Sequence, residues 1–203
     1  MLAGIAASLI ATAARADGYT HDGLQIRGAI GFGYLSDSES TGNVGSSLHG
    51  GAGTLELYIG GTPVRGLVIG GFVSGATAFG PDLTAGGVTV SDSNVSASLF
   101  TIGPYIDFYP DPRRGLHFLG TLGFAKLRVT YDAPDASTEV DGSGFTIGGG
   151  VGYDWWVSSD WSIGILGRLT FASTSWSTGA GPITVTTHDN IAVPALLFSV
   201  AYN

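Results

Sequence analysis

Cysteine is absent from this 203-residue chain, which excludes a fold stapled by disulfides. Charge is scarce as well: 12% of residues are Asp, Glu, Lys or Arg, where a soluble domain usually carries about a quarter. Basic residues are scarcer still, 8 Lys and Arg against 16 acids for a net charge of −8, which argues against nucleic-acid partners because phosphate contacts need cations. Beyond residue 16 the chain lacks any run of roughly 18 apolar residues free of polar or glycine interruption, so no membrane-spanning helix is written into it. Yet 44% of residues are hydrophobic, 34 are glycine, and the mean hydropathy is +0.31. An apolar chain without a spanning helix can still satisfy its backbone in lipid as a closed β-barrel.

The first 16 residues are set apart. Residues 2–14 are apolar and end at Ala14-Arg15-Ala16, a small-x-small pattern, so residues 1–16 are expected to be a signal peptide and residues 17–203 the mature barrel domain. No Lys or Arg precedes the apolar run, so this matches only the back half of such a signal. The alternative is a short buried N-terminal helix.

Turn signals divide the remainder into eight apolar runs near residues 23–35, 51–61, 67–79, 95–109, 116–131, 144–157, 161–173 and 190–202. Each offers at least the roughly 9–11 residues that a tilted membrane strand needs. Their connections alternate between short (62–65, 110–114, 158–160) and long (36–50, 80–94, 132–143, 174–189). Short turns on one rim and long loops on the other are the signature of an up-and-down barrel, with the short rim periplasmic. The predicted fold is all-β, an eight-stranded antiparallel up-and-down transmembrane barrel.

Alternation within the runs supports this, because successive strand residues face opposite sides. Trp161, Ile163, Ile165, Leu169 and Phe171 share a face opposed by Ser162, Gly164, Arg168 and Thr170. In the fifth run the phase of Leu116, Phe118, Leu122 and Phe124 collides with Lys126 and Arg128. A bulge near Ala125 is the expected remedy, turning Leu127, Val129 and Tyr131 toward lipid. The segment GFTIGGGVGYDWWV places Gly148, Gly150 and Gly152 on the inward face, where glycine leaves space for bulky groups from other walls of a narrow barrel.

Two groups of residues follow from the alternation. Arg27, Glu56, Asp107, Asp154 and Arg168 fall on inward faces and are expected to form a paired polar network filling the lumen. Tyr34, Phe108, Tyr109, Tyr131, Trp155, Trp161 and Tyr202 are expected to form aromatic girdles at the two membrane interfaces. His21 and His117 lie toward the periplasmic side and read as interface residues.

The segment FTIGPYIDFYP, the turn after it and GLHFLGTLGFAKLRV resemble the small outer-membrane barrels of the opacity-protein and OmpA/OmpX type. The glycine-alternating sixth run and the closing VPALLFSVAYN share the pattern, which covers residues 23–203 and carries no catalytic signature. The resemblance implies the outer membrane of a Gram-negative bacterium and folding through periplasmic chaperones and the barrel-assembly machinery. Members usually end in an aromatic residue, whereas here Asn203 follows Tyr202. Either the end is clipped, or recognition rests on Phe198, Val200 and Tyr202.

The expected function is a structural or surface-interacting, adhesin-like role, with a filled lumen, no catalysis, no cofactor and no metal. The expected partners are outer-membrane lipids and lipopolysaccharide, and the chain is expected to be monomeric. The long connections carry Asp37, Glu39, Asp82, Asp92, Asp132, Asp135, Glu139, Asp141 and Asp189 but no Lys or Arg. That reads as a solvated acidic surface, with divalent-cation binding as the sharper alternative. Three other readings stay open: a narrow, porin-like passive pore, a soluble ligand-binding barrel, and a lipid-modifying hydrolase drawing on Ser47, His49, His188 and Asp189.

Overall fold

A computed structural model describes residues 19–203 except 42–43, 87, 92–93, 134–135 and 181–182. The expected signal peptide lies outside the described residues. Ten strands follow one another: β1 (Leu24–Thr41), β2 (Val44–Val64), β3 (Leu67–Phe79), β4 (Asp82–Ala85), β5 (Val88–Ser91), β6 (Val95–Phe108), β7 (Leu116–Ala133), β8 (Ala136–Trp156), β9 (Trp161–Ala180) and β10 (Ile183–Tyr202). Eight of them close a ring in the order β1-β2-β3-β6-β7-β8-β9-β10, sealed by pairing of β10 with β1. All pairings are antiparallel. This is the eight-stranded up-and-down barrel, and its eight strands coincide with the eight apolar runs.

The long connections differ from their expected form as loops. Pairing continues through them as strand extensions, to Thr41↔Val44 between β1 and β2, Ala133↔Ala136 between β7 and β8, and Ala180↔Ile183 between β9 and β10. Ser, Thr and Val in these segments suit an extended backbone, and a ladder already in register continues at little entropic cost once it leaves lipid. In the fourth, Gly80 with φ 58° and Pro81 break the strand. The chain then folds into the β4–β5 hairpin, which leans on Ser46–His49 of β2.

Side chains sort across the wall as the period-two pattern demands. Ile30, Phe32, Leu55, Ile102, Phe124, Ile147, Phe171 and Phe198 project outward and are exposed, while Gln25, Arg27, Thr54, Tyr58, Tyr105 and Thr146 are buried inside. A belt of apolar side chains outside, with the charged and hydrogen-bonding groups of the same strands inside, is the reverse of a water-soluble barrel, and it fits lipid. The predicted bulge at Ala125 is absent. The β7–β8 ladder runs without a break through Ala125↔Gly144, and Ala125 and Leu127 stay buried on the inner face. Lys126 and Arg128 therefore point outward, just beyond the Phe124–Phe145 ring contact. There they pair with β8: Lys126 with Asp141 at 2.8 Å, and Arg128 with Asp141 at 2.9 Å and Glu139 at 3.7 Å. The strand outlasts the apolar belt, so charge on its outer face meets headgroup and water rather than hydrocarbon.

Candidate functional site

The lumen is filled in tiers, and the tier nearest the short turns is ionic. Arg27 of β1 reaches across to Asp107 of β6 at 2.9 Å and Asp154 of β8 at 2.7 Å. Its guanidinium also donates to the Tyr109 hydroxyl, which in turn donates to Asp154 at 2.9 Å. His117 of β7 adds a 2.8 Å contact between Nδ1 and the second oxygen of Asp107. All five side chains are buried, and each carboxylate is answered by a cation or donor, as burial of charge in a narrow space requires.

Two features here depart from the sequence reading. Tyr109, expected in a girdle, lies one residue past β6, where the chain turns under the lumen. Its backbone N–H bonds to Gly66 and its ring stacks on His117 at 5.1 Å. His21 and His117 are not interface residues; both are fully buried. His117 has the inward parity of Leu119 and Thr121. His21 precedes β1 and folds beneath the barrel, stacking on Tyr109 at 3.7 Å and packing at 4.6 Å from Trp156. Its Nδ1 meets the Asn203 side-chain oxygen at 2.9 Å, and the same oxygen accepts from Gln25 at 3.0 Å. Asn203 therefore serves as a floor residue, pinned also by its backbone N–H to Asp160.

The next tier joins Arg168 of β9 to Glu56 of β2 at 3.1 Å and to Thr121 Oγ1 at 3.1 Å. Tyr58 donates to Glu56, and Phe72 lies under the guanidinium with its centroid at 5.8 Å. Glycine makes room for these groups. A Cβ on Gly148 would fall 2.8 Å from Arg168, one on Gly152 2.1 Å from the His117 ring, and one on Gly164 2.1 Å from Asp154.

Above the ions the filling becomes aliphatic. Leu35, Leu48, Leu99, Leu127, Ile191 and Val193 pack with alanines into one buried cluster. The ionic network expected throughout the lumen thus occupies only the half nearest the short turns, and an apolar plug closes the other half.

Over the plug, at the long-hairpin mouth, lies a cavity of about 220 Å³ bordered by Asp37, Glu39 and Asp189. Asp37 and Asp189, expected on a solvated surface, are buried. Each continues an inward parity, Asp37 that of Arg27 and Leu35, Asp189 that of Leu197, Val193 and Ile191. The count by two would have found them had it been carried past the apolar runs. Burial, with Asp189 and Glu39 beside it, pushes the Asp37 carboxyl up to about 7. Burial and Glu39 likewise raise that of Asp189.

No protein-family model matches the sequence, and no curated protein is significantly similar to it. Solved structures do match. The outer-membrane protein OprG of Pseudomonas aeruginosa superimposes with a TM-score of 0.58 at 12% identity, covering 92% of this chain and 100% of that one. Neisserial surface protein A does so with a TM-score of 0.51 at 12% identity, covering 88% of this chain and 96% of that one. This is the fold of the small outer-membrane β-barrels. At such identities the likeness extends to architecture and leaves the role of the barrel to its own residues.

The remaining predicted residues can now be placed. Tyr34, Phe108, Trp155, Trp161 and Tyr202 project outward at the ends of the apolar belt, with Trp161 and Tyr202 in edge contact at 5.4 Å. Tyr131 does not join a girdle. Without the bulge it keeps the inward parity of Leu127 and Val129 and borders the mouth cavity. Among the described residues, Ser47, His49, His188 and Asp189 are not brought together as one Ser/His/acid set. Ser47 and His49 alternate with the inward Leu48, His49 lying by Tyr34 at 6.3 Å between ring centroids, while Asp189 is buried inside and His188 is exposed. Among the described residues no group of three His, Asp or Glu is placed to hold a metal.

The floor makes one pH-dependent prediction. Burial lowers the His21 imidazole from 6.5 to about 4, only partly offset by Asn203. A lowered histidine contributes stability that is fully present above the unfolded value and is lost as pH falls from about 6.5 toward 4. The contribution at stake is on the order of 3 kcal/mol. Acidifying to pH 4.5 should release the segment before β1 from the floor, read as loss of amide protection at residues 19–23, and His21→Phe should abolish the pH dependence. Protection indifferent to pH in the unaltered barrel would refute it.

Proposed function

We propose that the protein is a surface-interacting barrel of the outer membrane of a Gram-negative bacterium, monomeric, ringed by lipid and lipopolysaccharide, and folded by the barrel-assembly machinery. It acts without catalysis or cofactor. The observation that carries this reading is the combination of a lumen closed by ionic tiers and an apolar plug with strands prolonged well past the belt on one rim only. A chain that blocks its own pore and extends its walls outward invests in the surface it presents. Elements of this kind, displayed on a rigid scaffold, are where binding usually resides.

Two measurements test it. In planar bilayers the purified barrel should give no discrete conductance steps, since buried ionic and aliphatic side chains fill the lumen among the described residues; reproducible steps would favour the passive pore. Replacing residues 82–91, the β4–β5 hairpin, with a short Gly-Ser turn should preserve heat-modifiable gel migration yet reduce binding of expressing cells to surfaces. Lipase or deacylase activity abolished by His49→Ala or His188→Ala would instead support the hydrolase reading.

A further inference from the structure

Every buried carboxylate of the lower tiers is answered within the molecule, Asp107 and Asp154 by Arg27 and Glu56 by Arg168. The mouth cavity breaks this rule. Glu39 and Asp189 sit directly opposite one another in the β1–β10 ladder, with Asp37 two residues further in. Glu39 accepts from Ser46 at 2.9 Å and Asp189 from Thr174 at 3.3 Å. Asp37 is 6% exposed, and its Oδ1 has no hydrogen-bond partner. Among the described residues the lining contains no Lys, Arg or His. The nearby cations are on the outer face: Lys126 and Arg128 are engaged with Asp141 and Glu139, and His188, beside Asp189, is exposed.

A buried carboxylate with no cation beside it is unfavourable as an anion, and it either takes up a proton or is completed by a cation. The remainder of the lining says which kind. Leu127, Val129, Tyr131 and Trp176 also border the cavity, so its surface is part acidic and part apolar and aromatic. A hard divalent ion would need about six to eight oxygens around it, and among the described residues no three His, Asp or Glu side chains are grouped to begin such a shell. An ammonium attached to an apolar body matches both halves, because its charge meets carboxylate and can face aromatic rings, which attract cations. The volume of about 220 Å³ is that of about seven waters in the liquid, enough for a small amine and too little for a folded partner.

We propose that the vestibule binds a small organic ammonium ion, with its charge at Asp37 and Asp189 and its body against Leu127, Tyr131 and Trp176. The site requires only the aliphatic plug beneath it and stands independently of the surface partner of the barrel.

The test uses the full chain folded in nonionic micelles and checked by heat-modifiable migration. Calorimetric titration at pH 7.5 compares 2-phenylethylamine, the uncharged 2-phenylethanol and calcium chloride. Saturable amine binding is expected, with the alcohol at least tenfold weaker. Asp37→Asn with Asp189→Asn should weaken the amine at least tenfold while the barrel still folds. Gly142→Leu fills the cavity without altering charge, since a Cβ there already sits 3.2 Å from Thr174 and 3.3 Å from Asp189; it should have the same effect, and it supplies the answer if the double variant does not fold. Absence of amine binding, equal binding of amine and alcohol, binding unmoved by all variants, or carboxylate-dependent calcium binding without amine binding would each overturn the proposal.

Discussion

Replacing Arg27 with methionine should destabilise the barrel by about 3–5 kcal/mol, the range for removing one partner of a buried ion pair. The reason is arithmetic of charge. One guanidinium at 1% exposure serves two carboxylates, Asp107 and Asp154, and also donates to Tyr109. Without it two negative groups remain in a space closed to water by Tyr109, His21 and Asn203. The check is the denaturant midpoint for loss of the heat-modifiable form in lipid vesicles. Arg168→Met should cost less, because it abandons only Glu56, which keeps the Tyr58 hydroxyl. Arg27→Met combined with Asp107→Asn and Asp154→Asn should recover much of the loss, since no net charge is then stranded. A single variant as stable as the parent would mean that the lower tier contributes nothing to holding the barrel together.

A comparable effect is expected from one methyl group. Gly152→Ala would bring a Cβ to 2.1 Å from His117 Nε2 and 2.7 Å from Cε1. The ring cannot swing aside, being stacked on Tyr109 and bonded to Asp107. Overpacking at so constrained a site should cost about 3 kcal/mol. Three residues away, Gly149 points outward and its nearest atom to an added Cβ is 3.7 Å distant, so Gly149→Ala should stay within about 0.5 kcal/mol of the parent. Combining Gly152→Ala with His117→Ser should be far less harmful than the sum of the two, because each change relieves the other. Equal effects of the two glycine variants would show that the inward glycine face has no steric purpose.

These variants also mark how far the sequence could be read. Alternation located Arg27, Glu56, Asp107, Asp154 and Arg168 inside, and all five are buried in ion pairs. It failed where the backbone leaves the ideal strand or where the belt ends. Tyr109 continues the inward parity of Tyr105 and Asp107 one residue past β6, a count that stopped at the strand end, while His21 precedes β1; the chain folds both under the lumen. Lys126 and Arg128 looked like an error of phase only on the assumption that lipid extends as far as the strand does. That assumption moved Tyr131 to the wrong face. The acids of the mouth were hidden for a related reason: low hydropathy past residue 35 resembles loop, although the two-residue period persists through Asp37 and Glu39.

Local pattern by itself determined the eight strands of the ring, their direction and the face of most of their side chains, because those follow from residue spacing and turn chemistry within a few positions. Which inward groups meet was decided only by closure of the ring. Arg27 and Asp154 are 127 positions apart, and Arg168 and Glu56 are 112 apart; they share a tier because strand tilt and stagger set their heights along one axis. Height is a property of the closed cylinder, and no short window of sequence carries it.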